Sequence, residues 1–163
     1  MTEFTIRPVK MDDLDQVTAV EAACFPAAEA AGREAFETRI KTFPESFFVA
    51  VSGERIIGFI NGGVTNERTI RDEMFEDSSL HDPQGMYQSI FGLDVLEEHR
   101  KQGIAAALMR HLIEDARKKG RKGLILTCKD RLISYYESFG YRNLGVSASV
   151  HGGAVWYDMI LEF

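Results

Sequence analysis

The sequence predicts a mixed α/β fold whose central sheet is mixed but mostly antiparallel, with helices on both faces. Three observations carry this. Residues 87–128 read as strand, turn, helix and a nearly all-apolar strand, and a strand–helix–strand crossover joins parallel neighbours. Two further pairs of β-rich runs are each separated by a short glycine-bearing turn, the mark of antiparallel hairpins. Two amphipathic helical stretches lie ahead of the first hairpin, so the helices need more than one face to cover.

In chain order, Phe4–Pro8 alternates apolar and polar residues and ends on proline, as a short strand does. Leu14, Val17, Val20 and Ala23 then mark a helix from Met11 to Cys24, with Asp12 and Asp13 at its positive end. Phe25-Pro26 breaks it, and Phe25 reads first as packing and only second as the lip of a binding site. Phe36 and Ile40 mark a second helix ending before Pro44. Phe47–Val51 and Ile56–Val64 form the first hairpin about Ser52-Gly53-Glu54-Arg55, with Gly58, Gly62 and Gly63 predicting a bulge or a close backbone approach. Residues 66–85 are polar and acidic, read as a solvated connection with a short helix over Ile70–Phe75; their charge would also steer a cation.

Tyr87–Val95 is the predicted central strand, with Ser89, Phe91, Leu93 and Val95 on one face and Ile90, Gly92 and Asp94 on the other. A helix follows over Gly103–Lys119, with Ala105, Leu108, Met109, Leu112 and Ala116 inward and Gly120 as its stop. Gly123–Cys128 is the buried strand, and Asp130 is the expected cap of a helix through Tyr135, Tyr136 and Phe139. Tyr141–Val150, His151-Gly152-Gly153 and Ala154–Leu161 give a last hairpin.

The chain of 163 residues is expected to form one domain with a real core. A net charge of −6, without a long basic run, argues against a nucleic-acid partner. No stretch has the ~18–20 apolar residues that span a bilayer, and no signal pattern opens the chain. Cys24 and Cys128 are read as a reduced cytoplasmic pair, and no His/Cys spacing suits a metal.

The chemistry concentrates after the central strand, in Arg100-Lys101-Gln102-Gly103-Ile104-Ala105. A glycine turn at a helix N-terminus offers unpaired N–H groups to a phosphate. The Gly-Lys-Ser/Thr and three-glycine phosphate loops are both absent. This Arg-x-x-Gly-x-Ala loop, with the element order, resembles the GCN5-related N-acetyltransferase fold over essentially the whole chain. Leu126-Thr-Cys128-Lys-Asp130 with Tyr135-Tyr136-Glu-Ser-Phe139-Gly140-Tyr141, Phe48-Val-Ala, Ile57-Gly-Phe59-Ile and Leu80-His81-Asp-Pro83-Gln-Gly85 resemble the arylalkylamine (serotonin) N-acetyltransferases.

That resemblance implies acetyl-coenzyme A as cosubstrate and direct transfer of acetyl to a small primary amine. It places the pantetheine arm on the backbone of Leu93 and Val95, where the central and next parallel strands splay apart. It places the pyrophosphate on the N–H groups of Lys101, Gln102, Gly103, Ile104, Ala105 and Ala106, with Arg100 at the position that opens this coenzyme-binding loop. Tyr136 takes the position of the general acid, since a phenol with a pKa near ~10 suits a thiolate leaving group. Phe25, Ser89, Phe91, Thr127 and Trp156 fall at acceptor-site positions. The family's two strand histidines are replaced by Ser89 and Phe91, neither of them a base. His151, at the acceptor-site rim, has the right unperturbed pKa range for that role and reads equally as a surface turn residue. A polyamine or protein amine, and a coenzyme A sensor without turnover, are the alternatives. The enzyme is expected as a monomer or homodimer, without a membrane, metal or nucleic-acid partner.

Overall fold

A computed structural model of the chain describes residues 2–163. They form two compact units, one of residues up to Gly62 with Gly92–Leu112 and one of Gly63–Phe91 with Ile113–Phe163.

The first unit is built on a four-stranded antiparallel sheet in the order β1 (Thr5–Pro8), β2 (Phe47–Ser52), β3 (Arg55–Asn61), β6 (Gly92–Val95). Helices α1 (Leu14–Cys24) and α2 (Arg33–Thr42) belong to it, α1 entered through a single 3-10 turn over Met11–Asp13. Asp13 fastens that entry: its carboxylate accepts from Lys10 N at 2.8 Å and takes both terminal nitrogens of Arg7 at 2.8 and 2.9 Å. Phe36 of α2 meets Phe47 and Phe59 edge-on, with ring centroids 6.1 and 5.5 Å away. The glycine expected to mark a close backbone approach is Gly58, where a Cβ would meet Asp94 O at 2.5 Å.

The buried face of α1 differs from the expected one. Leu14, Val17, Val20 and Glu21 are buried, while Ala23 is exposed. Nine residues are two and a half helical turns, so Ala23 faces opposite Leu14, and Glu21 falls on the buried stripe.

The second unit holds a five-stranded sheet, β4 (Val64–Thr65), β5 (Tyr87–Ile90), β7 (Gly123–Cys128), β9 (Tyr157–Glu162), β8 (Arg142–Val146), parallel only between β5 and β7. Ile70, Met74, Tyr87, Ile125 and Ile160 form its core, with Phe75, Met86 and Phe91 packed against them. Helix α3 (Asp72–Glu76) lies in the acidic connection and α5 (Ile133–Glu137) follows β7. Asp130 caps nothing there; it is the first residue of a 3-10 turn that runs into α5, and Lys129 precedes it without a side-chain cap. Helix α4 (Ile104–Lys118) has its first nine residues in the first unit and the rest in the second. It ends on Gly120 at φ 75°, where Arg121 N returns to Ala116 O at 3.1 Å.

The predicted central strand is two strands in two sheets. Pairing of β5 with β7 stops at Ile90 and Leu126, Phe91 lies in neither strand, and β6 pairs with β3. Thr127 and Cys128 continue β7 against β9 alone.

Candidate functional site

In the first unit the predicted phosphate loop has a distinct backbone. Arg100 leaves a single 3-10 turn in extended conformation, Lys101 is left-handed at φ 64°, Gly103 follows at φ 82°, and the 15-residue α4 begins at Ile104. Two left-handed residues one position apart curl the intervening N–H groups toward one side, and the helix adds its unpaired first-turn donors. A Cβ on Gly103 would meet nothing within 4 Å, so the glycine serves its φ, not a tight contact. Lys101 is exposed, Ile104 buried, Ala105 and Ala106 half-buried, and Gln102 Oε1 accepts from Thr2 N at 2.6 Å.

Arg100 turns away from this loop. Its Nε donates to Val95 O at 2.9 Å, and Cys24 Sγ approaches the same carbonyl at 3.5 Å. Val95 is buried and its carbonyl engaged, whereas Leu93 is half-buried. Phe25, half-buried, closes α1 in extended conformation with its N–H on Glu21 O.

The opposite face of β6 holds a polar cluster the sequence did not announce. Asp94 is 1% exposed and lies beside Glu21, itself 7% exposed. A Cβ on Gly92 would meet Asp94 Oδ1, Asn61 Nδ2 and Glu21 Oε1 at 3.2, 3.5 and 3.7 Å. Arg39, 4% exposed, donates to Asn61 Oδ1 at 3.2 Å, and Glu21 Oε2 accepts from Ala31 N at 2.9 Å. Burial, then the neighbouring Glu21, pushes the Asp94 carboxyl well above the usual carboxylate range. Burial lowers Arg39 to about 10, so it stays charged near neutral pH. A helix-face glutamate at Glu21 was the one legible signal, hidden by a three-residue reading of α1.

In the second unit an aromatic file runs across one face of the sheet. Phe91 lies 4.9 Å from Phe75, Phe75 stacks on His151 at 5.5 Å and 11°, and His151 lies 6.1 Å from Trp156. His151 and Trp156, predicted at one rim, are thus brought together, with Trp156 Nε1 donating to His151 O at 2.8 Å. Asp72 of α3 holds their loop, accepting from Ser149 Oγ and, at 3.0 Å, from Val150 N. Phe75 and Asp72 come from the stretch read as a solvated connection. Ser89 is 1% exposed and its hydroxyl donates to Gly63 O at 2.6 Å. Thr127 is half-buried on β7 opposite Asp158. Tyr136 is half-buried, edge-on to Tyr135 at 5.3 Å and to buried Tyr141 at 6.0 Å. Cys128 is buried, and burial pushes its thiol up to about 11, far from a thiolate nucleophile.

The Acetyltransferase (GNAT) family matches residues 14–141, which takes in α1, the loop after β6 and the Tyr136 helix. The chain belongs to this family. Among curated GNAT relatives, human N-acetyltransferase 8 is 31% identical over 104 residues, covering 62% of this chain and 40% of the relative. Hamster (Mesocricetus auratus) serotonin N-acetyltransferase is 26% identical over 106 residues, 64% of this chain and 50% of the relative. The chain therefore spans half or less of the length of these relatives. Among solved structures, a GNAT-like decarboxylase, GphF, in complex with isobutyryl-CoA superposes with a TM-score of 0.85 at 22% identity, over 97% of this chain and 98% of that one. The NatC complex bound to Gag peptide and CoA gives 0.79 at 17% identity over 99% of both. These likenesses show the GNAT fold. Among the described residues no three His, Cys, Asp or Glu side chains gather as metal ligands, and no helix is long and apolar enough to cross a membrane.

Proposed function

We propose that this chain is an acetyl-coenzyme A-dependent N-acetyltransferase acting on a small primary amine with an aromatic body. The observation that carries the reading is the loop at Lys101 and Gly103, a family position whose backbone offers several N–H donors ahead of a long helix. Those donors suit a pyrophosphate. Leu93 lies on β6, the edge strand of its sheet, which supports a role for its N–H in polarising the thioester carbonyl.

In this reading Phe91, Thr127 and Trp156 shape the acceptor site, and Ser89 fixes the end of β5 next to Phe91 through its bond to Gly63. The amine nitrogen bonds to the thioester carbon as the carbon–sulfur bond breaks. Tyr136 gives its proton to the leaving sulfur, and His151 takes the proton that the amine loses. Each proton then returns through solvent, so nothing accumulates on the enzyme. The aromatic file from Phe91 to Trp156 favours a compact aromatic amine over a polyamine or an extended peptide.

Thiol release from acetyl-coenzyme A, followed over tryptamine, phenethylamine, spermidine and a lysine peptide, tests this. The aromatic amines are expected to be the best acceptors. Preference for the peptide or spermidine would refute the acceptor class, and coenzyme binding without release for any amine would refute the enzyme.

A further inference from the structure

One carboxylate of the second unit has no part in the scheme above. Asp158 lies on β9 directly opposite Thr127, and it shares its sheet face with Ile160, a member of the buried cluster against which Phe75 and Phe91 pack. Register continues past the strand: Ser147 N donates to Trp156 O at 2.8 Å, which puts Ser147 and Trp156 on that same face. Asp158 thus shares a sheet face with Trp156 of the aromatic file, flanked by a threonine and a serine.

Its Oδ1 is buried without a hydrogen-bond partner, and among the described residues Asp158 enters no ion pair. Burial raises its carboxyl and the Ser147 hydroxyl offsets part of that rise. A half-buried carboxylate with an unsatisfied oxygen is costly unless something cationic meets it. The neighbouring wall already holds such a group: the Lys129 ammonium lies 5.6 Å from the Trp156 ring centre.

We propose that Asp158 recognises the acceptor substrate as an ammonium ion, its half-buried carboxylate taking the substrate's N–H while Trp156, Phe75 and Phe91 hold the aromatic body. This rests on the reading of the chain as an amine acetyltransferase and adds the group that selects cations over neutral analogues. His151 would draw the first proton from the ammonium so placed and pass it to solvent, and would then take the second as the amine attacks.

The test is equilibrium binding of tryptamine and of its neutral isostere tryptophol, by calorimetry, to the wild-type chain and to Asp158→Asn. Wild type is expected to favour tryptamine tenfold or more, and Asp158→Asn to bring the two within about twofold. Ser147→Ala, which disturbs the same hairpin but keeps the carboxylate, is expected to retain the preference. A retained preference in Asp158→Asn, or no binding of tryptamine by wild type, overturns the proposal. A coenzyme A-induced thermal shift in each variant reports an intact fold, and a variant lacking it is replaced by Asp158→Ser in the same comparison. Thiol release separates the two readings. Turnover with an unchanged charge preference removes Asp158 and leaves the acetyltransferase; Asp158-dependent binding without turnover leaves the site and removes the enzyme.

Discussion

Burial and the neighbouring Glu21 favour the protonated form of Asp94, in a place where the sequence shows only an aspartate in a strand. Two carboxyls, Glu21 and Asp94, share one buried guanidinium, Arg39, so the cluster is near neutral only with one of them protonated. Since burial raises Asp94 in the folded chain, its unfolded form loses the proton first as pH rises. Stability then falls by about 1.4 kcal/mol per pH unit from the ordinary aspartate range up to the folded value, and levels off above it. Asp94→Asn mimics the protonated form. It is expected to raise the melting temperature at pH 7 and to flatten the profile between pH 4 and 7. Glu21→Gln leaves Arg39 without its counter-ion and is expected to cost about 3–5 kcal/mol. Denaturant unfolding across that pH range checks both, and a destabilised Asp94→Asn at pH 7 would refute the protonated assignment.

Tyr136 and Tyr135 form the other residue-scale contrast. They touch edge-on, yet Tyr135 is exposed and Tyr136 half-buried against Tyr141. Tyr136→Phe is expected to lower turnover roughly 10- to 10³-fold with little change in coenzyme binding, because the hydroxyl acts as the carbon–sulfur bond breaks. Tyr135→Phe is expected to stay near wild type. Equal losses in the two would remove the general acid. His151→Ala is expected to lose activity chiefly at low pH, where free amine is scarce.

At the scale of elements, the sequence was most readable where one period or one turn dominates. β7 has the predicted bounds, and α2 and α4 lie within a few residues of theirs, because apolar runs and glycine stops leave few choices. The break at Phe91 was illegible, since alternation continues through it and only pairing partners reveal two sheets. Asp130 looked like a cap because residue type alone does not show whether a 3-10 turn precedes the helix. Asp158 was overlooked in a strand read only as half of the last hairpin, and Phe75 in a stretch read as a solvated connection. The loop before α4 gives this scale its prediction. Acetyl-coenzyme A at a hundredfold excess over its dissociation constant should stabilise the chain by about 2.7 kcal/mol. Gly103→Val strains a backbone at φ 82° and is expected to abolish most of that shift. A full shift in the mutant, seen by thermal scanning, would refute the loop as the pyrophosphate site.

For the whole molecule, the family is shown by the match over residues 14–141, while the chemistry rests on residues whose roles are proposed. Direct transfer requires that no side chain carry the acetyl group. Cys128, the buried thiol near the end of β7, is the nucleophile to exclude, and with its thiol pushed up to about 11 it has little thiolate at neutral pH. Cys128→Ser is expected to keep measurable turnover, and a burst of thiol release with acetyl trapped on Cys128 would overturn direct transfer. The central claim meets its most direct test in one stoichiometry. Thiol released from acetyl-coenzyme A and N-acetyl product formed from tryptamine are measured together in single reactions. One mole of each per turnover, with no release when the amine is left out, is the predicted result; thiol release that proceeds without amine, or leaves the amine unmodified, would contradict it.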